Sequence, residues 1–310
     1  MSLCLWVLYN FVYCNQPYNI IYLLFIMYLC VYNSVNSFFN NCLLFLITLK
    51  FYNICYFVYN LKNVLFYILI YCVFFITLIM SDICLPVAQL TFGGCGGMYN
   101  YSLGIASVIQ KNFELRNVAI SGASAGCFPA FLLALGMDVD ELFESWNIPF
   151  LKEVNQSCFG AFGKWNTTVR RWTLPKFPVD AYIRARSRLF CSLTSVPYFK
   201  NHLISDWTSN EDLLDGIMAS AFVPLFDVCK ISACFRGHRF IDGSLTNSYP
   251  LPYALDIPSF IIRRDMWRPN KASWLWCWSD EEWARKLFEW GKCDAYEHLE
   301  EIGVVLPPIT

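Results

Sequence analysis

The chain has no surplus of charge of either sign. Its 310 residues carry 23 Lys and Arg against 24 Asp and Glu, and only 15% of side chains are charged. That balance lacks the basic footprint of a nucleic-acid binder, so no nucleic-acid partner is expected. There is no C-x-x-C pair, and the three histidines do not cluster at zinc spacing, so no metal site is expected. The fifteen cysteines are scattered singly from Cys4 to Cys293. An odd, scattered count reads as reduced, mostly buried thiols in a cytosolic or membrane-associated protein, not as a disulfide framework.

Residues 1–80 lack glycine, alanine, arginine and acidic residues altogether, and Lys50 and Lys62 are their only charges. Two readings of that composition stay open. One is membrane insertion. Asn63–Met80 approaches the roughly 20 apolar residues that cross a bilayer, with Lys62 at its edge as an interfacial anchor. A second, shorter candidate lies at 18–33. A cleaved signal peptide fits poorly, because the extreme N-terminus has no basic residue and no small-residue cleavage site. The other reading is an AT-rich upstream region translated in frame, with Met80-Ser81-Asp82 as the natural start. Such bias is compositional evidence. Under either reading a boundary falls near residue 80, where glycine, alanine and charge return.

The chain beyond that boundary is organised around Asn117–Phe128, NVAISGASAGCF. A short apolar run, Val118-Ala119-Ile120, enters Gly122-Ala123-Ser124-Ala125-Gly126. Phe128, Phe131, Leu132, Leu133 and Leu135 then suit a buried helix. Ser124 is expected on a sharp strand-to-helix turn that small neighbours permit. Its hydroxyl would sit at a helix N-terminus, where developing negative charge is favoured. The G-x-S-x-G pattern alone arises by chance in about one such chain in ten. A glycine-rich turn without chemistry therefore stands beside the nucleophile reading.

Upstream, the strand-like Gln89-Leu90-Thr91-Phe92 runs into Gly93-Gly94-Cys95-Gly96-Gly97, and a helix-spaced apolar run begins at Tyr101. Such a loop presents successive N–H groups to an anion. No Lys-Ser/Thr pair follows as in a P-loop, and position 99 is Tyr, so the dinucleotide spacing fails and no cofactor is expected. An oxyanion hole is the use that a nucleophilic serine requires. That serine needs a base. None of His202, His238 or His298 lies in a short, glycine-bounded loop. Of the two Asp-Gly pairs, Asp215 lies in a helical pattern, whereas Asp242 ends a strand-like run at the mouth of a sheet. A turn or capping aspartate is the plainer reading of Asp242.

Four motifs occur together, in order, over roughly residues 88–265. They are Gly94-Cys95-Gly96 with Tyr101 and Gly104; Gly122-Ala123-Ser124-Ala125-Gly126; Ser220-Ala221-Phe222-Val223-Pro224-Leu225-Phe226; and Phe240-Ile241-Asp242-Gly243-Ser244. In these the chain resembles the patatin-like phospholipases. The resemblance implies a three-layer α/β/α fold with a mainly parallel sheet. It implies a Ser124–Asp242 dyad, an oxyanion hole from the amides of Gly94, Cys95, Gly96 and Gly97, and Gly122, Gly126 and Gly243 as supports. It further implies metal-free hydrolysis of a lipid or phospholipid acyl ester. Tyr99 and Ser244 depart from the family's usual Gly and Gly or Ala. The alternatives are acyl transfer on the same site and a non-catalytic membrane-associated scaffold.

The expected organisation is a hydrophobic segment at 1–80, a patatin-like domain at 86–265 and a helical cover at 266–310. A membrane-associated protein is expected, with a span at about 63–80 and a cytosolic catalytic domain. Residues 164–200 carry eight basic residues against Asp180, interleaved with Trp165, Trp172 and Phe177. Anionic headgroups would suit such a surface; a solvated helix face is the simpler reading.

Overall fold

A computed structural model describes residues 86–309, apart from 157–162, 225, 228–229, 254–255 and 276–279. The candidate spans at 63–80 and 18–33 lie outside these residues. Among the described residues, no helix is long and apolar enough to cross a membrane.

Every residue of β1 (Ala88–Phe92) and β2 (Val118–Ala123) is buried. Strands buried along their whole length need cover on both faces, as in a parallel sheet between helical layers. β1 pairs in parallel with β2 and with β7 (Ser259–Ile262), and β2 pairs in parallel with β3 (Leu189–Ser195). β4 (Asn201–Ile204) and β6 (His238–Asp242) run antiparallel to β3, and β5 (Ala233–Phe235) runs antiparallel to β6. Five of the seven strands therefore point one way. The order is β5-β6-β3-β2-β1-β7, with β4 also on β3.

β3 decides where the polar cluster forms. Its residues Cys191 and Ser192 pair with both β2 and β4, so those two lie on opposite edges. Leu193 and Thr194 pair with both β4 and β6, so β6 also lies opposite β4. β2 and β6 thus share one edge of β3. β2 stops at Ala123, opposite Ser192, and β6 stops at Asp242, opposite Leu193. Two strands of opposite direction end head to head on adjacent β3 residues, and Ser124 is the next residue of one of them.

Buried polar groups in β1 and β2 tie down the β6–β7 connection. Thr91 Oγ1 and Ser121 Oγ both donate to the Pro250 carbonyl, at 3.0 and 2.5 Å, and Gln89 Oε1 accepts from the Tyr253 amide at 2.9 Å. Burial of such groups is tolerated because each has a partner.

α1 (Tyr99–Asn112) connects β1 to β2, and α2 (Cys127–Leu135) follows the serine turn. α2 ends at Gly136, whose φ of +66° suits a residue without Cβ. Beyond it α3 (Val139–Leu142), a π-helical turn at Phe143–Asn147 and α4 (Ile148–Gln156) run almost without a break, and α5 is Trp165–Thr173. α6 (Ala181–Ala185) precedes β3. α7 (Asn210–Ser220) starts on Ser209, whose side chain accepts from the Asp212 amide. α8 (Glu281–Glu297) starts on Asp280 in the same way, and α9 is Leu299–Gly303. α8 packs on α1 backbone to backbone: a Cβ on Gly104 would collide with the Phe288 carbonyl, and one on Gly291 with the Tyr101 carbonyl. Tyr101 Oη donates to Asp294 Oδ2 at 2.8 Å, and Arg268 forks onto the same carboxylate at 3.0 and 2.6 Å.

Candidate active site

Ser124 occupies the turn between β2 and α2 with φ +55°. A non-glycine residue in that region is strained by about 1–3 kcal/mol and persists only where its surroundings hold it. Three neighbours hold it here. Gly122 presses on the Cys127 backbone, and a Cβ there would lie 2.7 Å from Cys127 Cα. Gly126 lies against the Phe92 and Gly93 carbonyls with no room for a Cβ. Ser220 Oγ accepts from the Ser124 amide at 3.1 Å and donates to the Ser192 carbonyl at 2.6 Å. Ser220 therefore pins the turn to β3 from the end of α7. It stands in a motif of the family resemblance, but nothing in the local pattern assigns it this bracing position.

The Ser124 hydroxyl donates to Asp242 Oδ2 in a short contact. Asp242 Oδ1 accepts from both the amide and the hydroxyl of Ser244, at 2.9 and 2.5 Å. The Asp242 amide donates to the Phe222 carbonyl at 3.0 Å, and its carbonyl accepts from Thr194 Oγ1 at 2.8 Å. Gly243 passes so close to the Ser192 carbonyl that no Cβ fits. Burial pushes the Asp242 carboxyl above its ordinary value, against the pull of the Ser124 and Ser244 donors. The structure thus brings Ser124 and Asp242 together, with Gly122, Gly126 and Gly243 at the close approaches around them. Ser244, one of the two departures, supplies two donors to the carboxylate.

Beside this pair lies the loop Gly94–Gly97. The Gly94 amide donates to the Ser248 carbonyl at 3.3 Å, whereas the amides of Cys95, Gly96 and Gly97 meet no backbone acceptor elsewhere among the described residues. Gly96 has φ +50°, a conformation that favours glycine. The Cys95 side chain points into the core, where burial pushes its thiol up to about 12. Tyr99, the other departure, begins α1 at φ −59°, an ordinary helical conformation with no need of glycine. Its hydroxyl donates to Asn147 Oδ1 at 2.7 Å, and Asn147 in turn donates to Asn100 Oδ1 at 2.7 Å.

Ser124, Asp242 and the glycine loop face a cavity of about 420 Å³, the size that takes a small organic ligand. Away from this polar end its walls are apolar, with Phe128, Trp146, Phe150, Leu151, Trp165 and Val169. Arg264 also lines it and has no distinguishing sequence signal. None of the three histidines does. Asp215 lies within α7 and pairs with Arg170, away from the cavity lining. The basic stretch is largely given over to protein acceptors. Arg170, Arg171 and Arg184 pair with Asp215, Glu153 and Asp180, while Arg186 and Arg188 donate to the Trp207 and Leu115 carbonyls.

By architecture this is an α/β protein with its polar cluster at the carboxyl ends of β1, β2 and the oppositely directed β6. The family model described as patatin-like phospholipase matches residues 90–255, a stretch that contains both Ser124 and Asp242. The chain belongs to the patatin-like phospholipase family. It is 32% identical over 169 residues to human patatin-like phospholipase domain-containing protein 4, covering 53% of this chain and 66% of that protein. Rat patatin-like phospholipase domain-containing protein 2 is 32% identical over 170 residues, covering 53% and 35%. Human omega-hydroxyceramide transacylase is 28% identical over 189 residues, covering 57% and 35%. The matched segment spans less than two thirds of the length of each of these relatives.

Proposed function

We propose that the protein is a lipid acyl hydrolase working through an acyl-serine intermediate, with Ser124 as nucleophile and Asp242 as base. The observation that carries this reading is the hydrogen bond from a strained, positive-φ serine to a buried carboxylate whose proton affinity is raised. A carboxylate of raised pKa is the better proton acceptor at neutral pH. Family membership supports the lipid ester as substrate, and the apolar cavity supports an acyl chain lying beside Phe128 and Trp146.

In this mechanism Ser124 Oγ attacks the ester carbonyl while its proton passes to Asp242 Oδ2. The negative charge on the carbonyl oxygen is met by the amides of Cys95, Gly96 and Gly97, with Gly94 shaping the loop. Collapse expels the alcohol, which takes the proton back from Asp242. Water then attacks the acyl-Ser124 ester and gives its proton to Asp242. The fatty acid leaves, and the proton returns to Ser124. An alcohol in place of that water would make the same site an acyltransferase. The omega-hydroxyceramide transacylase among the relatives favours keeping this second reading.

The domain boundaries proposed are those at about residues 80 and 265, with any membrane association attributed to the segment before residue 80. The test of the chemistry is labelling with a fluorophosphonate probe and mass mapping of the modified residue. The expected adduct is on Ser124, absent from Ser124→Ala, with turnover in that variant reduced at least about a thousandfold. Labelling elsewhere, or ester hydrolysis surviving in Ser124→Ala, would overturn the assignment.

A further inference from the structure

Apart from Asp242, the cavity wall carries one charged side chain among the described residues, Arg264. Its place follows from register. β7 runs beside β1 with Ile262 opposite Phe92, and the Gly93 amide donates to the Ile262 carbonyl at 3.0 Å. Arg264 follows two residues after β7 ends, as Gly94 does after β1, and both line the cavity. Asn270 Nδ2 donates to the Arg264 carbonyl at 2.8 Å and anchors the backbone there.

Arg264 is half-buried, and among the described residues its buried Nε has no acceptor and no carboxylate pairs with it. Asp242 does not serve: its carboxyl accepts from Ser124 and Ser244 and makes no ion pair with Arg264. A guanidinium held partly out of water without an anion is costly, so its natural partner is a ligand. Its planar fork matches phosphate oxygens two at a time. The cavity then has three stations: apolar walls for an acyl chain, Ser124 for the ester, and Arg264 for an anion.

Building on the hydrolase reading, we propose that Arg264 receives the phosphate of a glycerophospholipid whose ester lies at Ser124, so that the site selects phosphate-bearing esters over neutral acylglycerols. The test measures binding to the full chain carrying Ser124→Ala, read by the fluorescence of Trp146 and Trp165 in the cavity wall. The probes are a monoalkyl glycerophosphocholine ether, a monoalkylglycerol of the same chain, and inorganic phosphate alone. The phosphate-bearing ether should bind about ten- to a hundredfold tighter than the neutral one, the size of a charge-assisted hydrogen-bonded pair. Arg264→Gln should abolish that ratio, and Arg264→Lys should lower it, since it keeps the charge and loses the fork. If Arg264→Gln does not fold, the Lys variant decides, and an unchanged ratio in it overturns the proposal. An unchanged ratio in folded Arg264→Gln does the same. Inorganic phosphate binding as tightly as the ether lipid would also overturn it, by making free phosphate the ligand. None of these measurements needs turnover. If fluorophosphonate labelling fails while the ratio depends on Arg264, the hydrolase reading falls and a lipid-phosphate site remains; if labelling succeeds and the ratio does not move, Arg264 alone has been misassigned.

Discussion

Asp215-Gly216 and Asp242-Gly243 are the same dipeptide in two settings. Asp215 sits inside α7 and faces Arg170 at the surface, with 37% of its side chain exposed. Gly216 lies flat against the buried indole of Trp207. Asp242 ends β6, is 7% exposed, and meets a hydroxyl in place of a cation. Gly243 lies against a backbone carbonyl, not a side chain. In one pair the carboxylate is held by charge at a surface. In the other it is buried and hydrogen-bonded, with no ion-pair partner among the described residues. The dipeptide carries no chemistry by itself; the neighbouring strand edge supplies it by what it places opposite.

The sharpest way to break this contrast is to neutralise each carboxylate. Asp242→Asn should lower kcat/KM for a soluble short-chain ester by about a thousandfold or more, as loss of a triad carboxylate does elsewhere. Asp215→Asn should stay within about twofold, the range of surface substitutions. The opposite ranking, in folded proteins, would mean that the wrong carboxylate has been assigned.

The glycines give the next largest difference, read in thermal or denaturant unfolding. Gly243→Ala drives a methyl into the Ser192 carbonyl, a backbone atom that cannot step aside, and should cost about 3 kcal/mol. Gly216→Ala pushes on the Trp207 ring, which can shift a little, and should cost about 1 kcal/mol. Equal losses would show that the β6 end is less constrained than its contacts imply.

The smallest expected effect is in pH dependence. Burial raises the Asp242 carboxyl above its ordinary 3.8. As base it must be ionised, so the acid limb of kcat/KM should fall above the usual carboxylate range. Stability runs the other way. The folded state holds this proton more tightly than the unfolded state does, so stability declines as pH rises from the unfolded value through the raised one. Asp242→Asn removes that decline and should melt at pH 7 no lower than the unaltered protein. A clearly lower melting temperature would mean that the ionised carboxylate stabilises the fold.

Much of this site is legible in the chain itself. The serine turn, the glycine loop and the choice of Asp242 over Asp215 all rest on local patterns: small residues around Ser124, an apolar run before each turn, helical spacing around Asp215. The parts that are not legible depend on register between strands far apart in sequence. Ser220 reads as one residue of an apolar motif until α7 is seen ending beside Ser192. Arg264 is one of several arginines until β7, paired beside β1, delivers it to the cavity wall. The basic stretch from Lys164 to Lys200 reads as a solvated helix face or, less simply, a surface for anions, and its partners Asp215, Glu153, Trp207 and Leu115 lie outside it. Tyr99 reads as a departure in the loop, yet α1 starts there, three residues beyond Gly96, the loop position whose positive φ favours glycine.

The meeting of β2 and β6 on one edge of β3 also makes the Ser124–Asp242 contact a product of long-range closure. Ser124 and Asp242 are 118 positions apart. The β1–α1–β2 crossover is short, although β1 also pairs with β7 and α1 packs on α8. Closing β6 onto β3 spans a longer stretch of chain. A chain in which β6 has not closed onto β3 therefore has the serine turn without the carboxylate beside it. Under the proposed dyad, that hydroxyl lacks its base until the sheet is closed.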